Sequence, residues 1–263
     1  EKYALEVINS DEYSLEANFA DANSLLGENS IESIFEVGAL SLEGTPGNQY
    51  ANTQGVRGTP NRGWGFNRPS LDLRDSFEPG DPRMESTIIF LGEILDGVEI
   101  LDDGTTPNET KDASDNVIEI ECYNQKVWIP GENTISQWGH NRRLMRYADV
   151  LLMASEALNE NNKPDEALIF LEEVRSRARG GNEAILPEIT VTEKSALKNL
   201  ILDERRHELA LEQHRFWDLV RTGKAAQVLG PLGFVSGKHD YFPIPQSEID
   251  ISQGSLIQNT FWQ

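Results

Sequence analysis

Apolar residues recur at helical spacing between residues 144 and 158, and this segment gives the clearest pattern in the chain. One face carries Leu144, Tyr147, Ala148, Leu151, Leu152, Ser155 and Leu158. A second face carries the smaller residues Val150, Ala154 and Ala157. Side chains three and four positions apart lie on the same side of a helix, so the pattern predicts a helix over Leu144–Leu158 that packs on two sides.

The following segment has both a start and a stop signal for a helix. Pro164 suits the first helical position, where its missing N–H is not needed, and Asp165 and Glu166 follow in the first turn. Arginines occupy the last turn before Gly180. With the preceding helix and a short polar turn, this segment predicts an antiparallel hairpin of about the length of a tetratricopeptide unit.

A third long helix is predicted from Thr192 to about Arg221, with Gly223 as its stop and with Phe216 and Trp217 facing the core. Weaker patterns elsewhere indicate a short helix at Glu16–Leu26 and short strands at Ser33–Val37, Thr87–Leu91 and Lys126–Ile129.

Two stretches without periodicity are predicted to be loops. The stretch Gly38–Gly65 is rich in glycine and longer than an ordinary connection, which is typical of a segment that binds something or moves. The stretch Leu101–Asp115 is acidic and rich in turn-forming residues, so we expect it to be exposed.

Charge narrows the choice of partner. The chain has 263 residues, 44 of them acidic and 23 basic, and a formal net charge of -21. Nucleic acid would be repelled, whereas the binding of a neutral ligand is unaffected by this field. The single cysteine, Cys122, excludes an intrachain disulfide and is expected to be a buried small residue.

The beginning of the chain has no signal-peptide pattern. Residues Tyr3 to Ile8 have the pattern of the end of an amphipathic helix, so we expect further residues upstream of Glu1.

Three motifs in the second half resemble the C-terminal region of the SusD/RagB family. They are RLMRYADVLLMASEALNE at Arg143, ILDERRHELALEQHRFWDLVRTG at Ile201 and YFPIPQSEID at Tyr241. Looser similarities lie in the first half, at YALEVINSDEYSL, IESIFEV and RPSLDLRDSFEPGDPR. The resemblance divides the chain into a loop-rich middle region at residues 1–140 and a C-terminal helical region at residues 141–263.

The resemblance implies a fold and a role. The expected fold is mainly α, a tetratricopeptide-like α-α superhelix with a loop-rich subdomain and a few short strands. The expected protein is a cell-surface lipoprotein of the bacterial outer membrane. It would bind a neutral oligosaccharide or polysaccharide without catalysis for a SusC-like TonB-dependent transporter, with no cofactor. Its membrane contact would be an N-terminal lipid that this chain lacks.

Glu204 and Glu208 are the strongest candidates for catalysis. They lie one turn apart in the apolar stripe of the third helix, so their carboxylates are expected to be buried and paired. A retaining glycosidase also needs two carboxylates about 5 Å apart, but the pair must flank the glycosidic bond from different directions. Two side chains that project together from one helix do not meet that need, so we expect a structural ion network and no catalytic residue.

Histidines give no metal motif. His207 and His214 are seven positions apart, whereas the metalloprotease helix needs two histidines four apart. His140 and His239 are isolated in sequence. We therefore expect no metal site.

A sugar ring stacks its apolar face on an aromatic ring while amides and guanidiniums contact its hydroxyls. Trp64 is flanked by two glycines, so it is the predicted platform, with Tyr50 as a second ring. The polar partners predicted for this ligand site are Asn61, Arg62, Asn67 and Arg68. The alternative is that Trp64 anchors its loop on the scaffold.

Two other classes of function remain open. A tetratricopeptide adaptor would bind protein or peptide in its helical groove, whereas a glycan receptor should expose loop aromatics outside it. A glycoside hydrolase is the third possibility.

Overall fold

The computed structural model describes residues 1–40, 49–130 and 139–262. Two compact units divide the chain, unit 1 at Glu1–Glu212 and unit 2 at Gln213–Gln263. The predicted boundary between residues 140 and 141 falls inside unit 1.

Helices dominate the described residues. The α-helices are α1 (Lys2–Ile8), α2 (Phe19–Ala22), α3 (Gln49–Gln54), α4 (Leu71–Ser76), α5 (Tyr147–Glu160), α6 (Pro164–Arg179), α7 (Lys194–Glu208), α8 (Arg215–Arg221), α9 (Ala225–Leu229) and α10 (Gln246–Ile251). Single 3₁₀ turns lie at Gln125–Val127, Gly230–Leu232 and Thr260–Trp262.

Short antiparallel strand pairs connect distant parts of unit 1. The strands are β1 (Ser33–Val37), β2 (Ile88–Phe90), β3 (Ile94–Leu95), β4 (Val98–Glu99), β5 (Glu109–Lys111), β6 (Val117–Ile120), β7 (Cys122–Asn124) and β8 (Arg142–Arg146). They form the pairs β1–β8, β2–β7, β3–β4 and β5–β6. The pair β1–β8 joins residues more than 100 positions apart, with Val37 opposite Arg142.

The predicted helical hairpin is confirmed as α5 and α6. Both helices pack with α7 around a core of fully buried side chains, which includes Leu151, Leu158, Leu171, Val174, Leu197 and Ile201. α6 begins at Pro164 and ends at Arg179. The next residue, Gly180, caps it with a left-handed φ of 58°, a conformation that glycine adopts without steric cost. The start and stop signals were therefore correct.

Two predicted helix boundaries were wrong. α5 begins at Tyr147, because Leu144 belongs to strand β8. The third predicted helix is two helices, since α7 ends at Glu208 and α8 begins at Arg215. Between them Leu211 and Gln213 have positive φ, which no α-helix contains.

The prediction that Trp217 lies in a core was also wrong, because α8 leaves its ring 51% exposed.

The weaker patterns were correct in part. Ser33–Val37 is a strand, Thr87–Leu91 contains β2, and the predicted helix Glu16–Leu26 shortens to α2. Lys126–Ile129 is not a strand, since it begins within a 3₁₀ turn that follows β7. The stretch Leu101–Asp115 is mostly exposed, and it contains strand β5, which pairs with β6 just after the stretch.

Other sequence predictions can be placed within the described chain. Cys122 is buried, as expected. Of the predicted loop Gly38–Gly65, residues 41–48 lie outside the described residues and 49–54 form α3.

The small-residue face of α5 gives the first prediction. Val150 and Ala154 are buried, whereas Ala157 is half-buried. The side chain of Ala154→Leu would overfill a closed site, and we expect it to lower the free energy of unfolding by about 1–3 kcal/mol. Urea unfolding measures this loss, with Met153→Leu at an exposed position of the same helix as the control. An unchanged midpoint for Ala154→Leu would mean that this face has room to spare.

Candidate functional site

The loop that carries Trp64 is held by backbone hydrogen bonds along residues 52–56. The N–H groups of Arg62, Trp64, Gly65 and Phe66 donate to the carbonyl oxygens of Val56, Asn52, Gly55 and Thr53, at 2.7, 3.0, 2.9 and 2.8 Å. Four backbone hydrogen bonds within five residues leave the loop little freedom. The backbone position of Trp64 is therefore fixed by the end of α3 and the residues after it.

Glycines permit this close approach. A Cβ at Gly63 would lie 2.2 Å from the carbonyl oxygen of Asn52, and a Cβ at Gly55 would lie 2.4 Å from that of Arg62. Gly65 has a φ of 68°, a left-handed conformation that side chains disfavour. The glycines that flank Trp64 are required by the backbone, and they also leave the indole uncovered.

Two aromatic rings project from this loop. Trp64 is 51% exposed and Phe66 is 61% exposed. Their ring centroids are 6.3 Å apart and their planes are 73° from parallel, an edge-to-face pair. Sequence reasoning missed Phe66, although it lies two positions after Trp64 in the same glycine-flanked segment.

A cluster of charged side chains around the buried Glu121 holds the loop in place. The Glu121 carboxylate, 3% exposed, accepts two hydrogen bonds from Arg57 at 2.9 and 2.8 Å and one from Arg68 at 2.6 Å. The Tyr123 hydroxyl donates to the same carboxylate at 2.6 Å. Burial and the neighbouring Glu121 charge raise the pKa of Tyr123, so it remains a phenol that can donate. The cluster joins both ends of the loop, at residues 57 and 68, to strand β7 and its flank.

The structure separates the predicted polar partners by their accessibility. Asn61 is exposed. Asn67 is also exposed, and its amide donates to Gln54 Oε1 at 2.6 Å and to the carbonyl of Leu211 at 3.0 Å. Arg68 pairs with Glu119 as well as Glu121. Asn67 and Arg68 therefore hold the loop in place, and contact of either with a ligand stays a prediction.

Arg62 and Tyr50 are less accessible to solvent than Asn61 and Asn67. Arg62 is 6% exposed, donates to the carbonyl of Ile129 at 2.5 Å and has its guanidinium 4.4 Å from the ring centroid of Trp128. Tyr50 is half-buried and packs against a small core that includes Val127. The described geometry does not favour Arg62 as a ligand contact, because its polar groups face the protein interior.

Glu204 and Glu208 lie in a buried network of arginines, as the sequence predicted. Glu204 contacts Arg83 Nη1 at 2.5 Å and Arg175 Nη1 at 2.9 Å. Glu208 contacts Arg177 Nη2 at 2.5 Å and Arg146 Nη1 at 3.1 Å. These residues, together with Glu32, Asp81, Lys126 and Glu212, form what we call the ion network.

Charge in the ion network is balanced by opposite charge at short range. Burial opposes ionisation of Glu208, but the guanidiniums of Arg177, Arg146 and Arg83 outweigh burial and lower its pKa to about 2. A carboxylate with so low a pKa is a poor general acid. The contacts of Glu208 are those of a structural residue that links α7 to α6 and β8.

Among the described residues, no group of three or more histidine, cysteine, aspartate or glutamate side chains is placed to hold a metal ion. Within the same part of the chain, no helix combines the length and apolar character needed to cross a membrane.

Comparisons with known proteins agree with the fold. The family model of the SusD family matches residues 31–233. The SusD-like protein P2 of Formosa agariphila is 30% identical over 257 residues, which covers 92% of this chain and 50% of that protein. The SusD-like protein P38 of the same organism is 38% identical over 104 residues, or 38% of this chain and 21% of that protein.

Solved structures extend the likeness. Surface glycan-binding protein A from Bacteroides thetaiotaomicron, in complex with laminarihexaose, has a TM-score of 0.72 and 28% identity, covering 98% of this chain and 58% of that one. A laminarin-binding SusD-like protein has a TM-score of 0.70 and 28% identity, covering 95% of this chain and 54% of that one.

This chain belongs to the SusD family. Its mainly α, tetratricopeptide-like fold is the one predicted. The chain spans no more than half the length of the two Formosa relatives and little more than half of the two solved chains.

The ion network gives the second prediction. Glu208→Gln removes a charge and leaves Arg146 and Arg177 short of a partner, so we expect a loss of about 3–5 kcal/mol in the free energy of unfolding. Thermal and urea unfolding measure it. Glu6→Gln, which removes an exposed helical pair with Lys2, is the control and should cost little. A Glu208→Gln protein as stable as the wild type would contradict the structural role.

The third prediction concerns acid. The Glu208 carboxyl takes up its proton near pH 2 when folded and near its ordinary value of 4.5 when unfolded. Its stabilisation is therefore complete above pH 4.5 and is lost as the pH falls from about 4.5 to about 2. We expect the melting temperature of the wild type to fall more steeply across this range than that of Glu208→Gln. Equal slopes would mean that Glu208 does not contribute to acid unfolding.

Proposed function

We propose that this chain is the glycan-binding part of a non-catalytic cell-surface protein and that it captures a neutral glycan at Trp64 and Phe66. The observation that carries the proposal is the exposed, edge-to-face pair of rings on a loop fixed by backbone hydrogen bonds and by Glu121. Exposed rings on a rigid loop lose little conformational entropy when a sugar stacks on them.

Membership of the SusD family supports the class of ligand. Two structural neighbours are described as binding laminarin or as a complex with laminarihexaose, and both are 28% identical to this chain. A neutral glucan of the laminarin type is therefore the first ligand to test. The net charge of -21 also favours a neutral glycan over an acidic one.

The absence of catalysis is part of the proposal. Glu204 and Glu208, the strongest catalytic pair in the sequence, are held by arginines in the ion network and are buried. Both carboxylates project from α7 and are paired with arginines, whereas a glycosidase acid must be placed to donate a proton to the glycosidic oxygen. A surface lipoprotein that passes its glycan to a SusC-like TonB-dependent transporter is the role that the family resemblance supports.

The fourth prediction tests the site. Trp64→Ala and Phe66→Ala should each weaken the binding of laminarihexaose by about five- to thirtyfold, because each removes about 1–2 kcal/mol of stacking contact. Calorimetric titration measures the affinity. Phe35→Ala is a matched control, since Phe35 is an exposed phenylalanine of unit 1 outside the loop.

Three outcomes would overturn the proposal. Wild-type affinity in a folded Trp64→Ala protein would remove that ring from the site. Affinity that falls steeply with added salt would indicate a charged contact, as expected for an adaptor that binds peptide. Release of shorter sugars from laminarihexaose by the purified protein would indicate a hydrolase.

A further inference from the structure

Unit 2 contains an aromatic site of its own, whereas the loop of Trp64 belongs to unit 1. A pocket of about 470 Å³ has six aromatic side chains in its wall, namely Phe216, Phe234, His239, Tyr241, Phe242 and Trp262. Its volume lies in the range of small-ligand sites, and most of its wall is aromatic.

The pocket wall is pre-formed by hydrogen bonds between its two chain segments. Trp262 Nε1 donates to the carbonyls of Lys238 and Tyr241, at 2.9 and 3.0 Å. The Gln258 side chain accepts from the N–H of Ile244 and donates to its carbonyl, both at 2.8 Å. Residues 241–244 are thus tied to residues 258–262, and the rings between them do not need to be ordered when a ligand arrives.

The His239 ring is held in this wall, and one of its ring nitrogens can donate a hydrogen bond to a ligand. Its ring lies between Phe234 and Trp262, with both centroid distances at 5.7 Å. The N–H of Val235 donates to Nδ1 at 2.8 Å, so the proton of the neutral ring is on Nε2. Within the described residues neither this Nε2–H nor the Tyr241 hydroxyl has a hydrogen-bond partner.

The charge of unit 2 differs from that of unit 1. Unit 2 has four basic residues, Arg215, Arg221, Lys224 and Lys238, and four acidic ones, Asp218, Asp240, Glu248 and Asp250. Four minus four gives zero, so the whole formal charge of -21 belongs to residues 1–212. A neutral ligand fits this local balance.

We infer that this pocket is a second glycan site, which takes one neutral pyranose ring. Aromatic faces would cover the apolar side of the sugar, while His239 Nε2–H and the Tyr241 hydroxyl would bond its oxygens. This inference rests on the proposed function, since it assumes a glycan ligand.

Indole N–H resonances distinguish the two sites. In the ¹⁵N-labelled chain each tryptophan gives one indole signal, which single substitutions assign. Titration with laminarihexaose should shift the signal of Trp262 as well as that of Trp64. With Trp64→Ala the Trp262 shift should persist.

Variants of the pocket sharpen the test. Phe242→Ala should weaken the glycan affinity measured from the Trp262 shift about tenfold. Tyr241→Phe keeps the ring and removes the hydroxyl, and it should weaken this affinity about threefold or more. Phe261→Ala is the matched control, because Phe261 is 61% exposed against 69% for Phe242 and does not line the pocket.

Each result decides between the two sites. A Trp64 signal that shifts while Trp262 stays still at saturating glycan would overturn the second site and leave the proposed function intact. A Trp262 shift without a Trp64 shift would overturn the Trp64 site instead. A Trp262 signal that shifts with protein concentration and does not shift with glycan would overturn the second site. It would show that the pocket binds polypeptide in a self-association of the chain.

Discussion

The buried ion network is the constraint on which unit 1 depends. Its members come from the residue before β1, the segment around residues 81–83, the 3₁₀ turn Gln125–Val127, β8, α6, α7 and the residues just after α7. Buried charges cost solvation energy, and they are tolerated only when each has an opposite charge at hydrogen-bonding distance. Here one arrangement of the helices and strands satisfies them all. The network therefore specifies geometry even where it adds little net stability.

The same physical logic recurs, on a smaller scale, beneath the exposed aromatic loop. Glu121 is buried and receives Arg57, Arg68 and the Tyr123 hydroxyl. The loop between Arg57 and Arg68 is thus anchored at both ends by one carboxylate, and its middle is bonded to the backbone after α3. A surface that stacks on a sugar needs rings that are uncovered and held in place. Hydrogen bonds to a glycan only replace hydrogen bonds to water, so they contribute little net energy. Stacking area then decides affinity.

Sequence periodicity predicted the elements whose cause is local. α6 was placed from its proline, its acidic first turn and its glycine stop. The end of α7 was missed, because positive φ at Leu211 and Gln213 is disfavoured locally and is held by tertiary contacts such as Lys126 with Glu212. Strand β8 was missed for a similar reason, since its partner β1 lies about a hundred residues earlier.

The candidate site divides in the same way. The exposure of Trp64 followed from its flanking glycines, a local feature. The roles of Arg62 and Arg68 did not, because their partners, Ile129 and Glu121, are distant in sequence.

The central claim is that Trp64 and Phe66 together hold a neutral sugar ring. A crystal structure of this chain with laminarihexaose tests it most directly. We expect a pyranose stacked on the Trp64 indole with its edge against Phe66, and a loop backbone unchanged on binding. A glycan bound elsewhere at full occupancy, with both rings facing solvent, would contradict it.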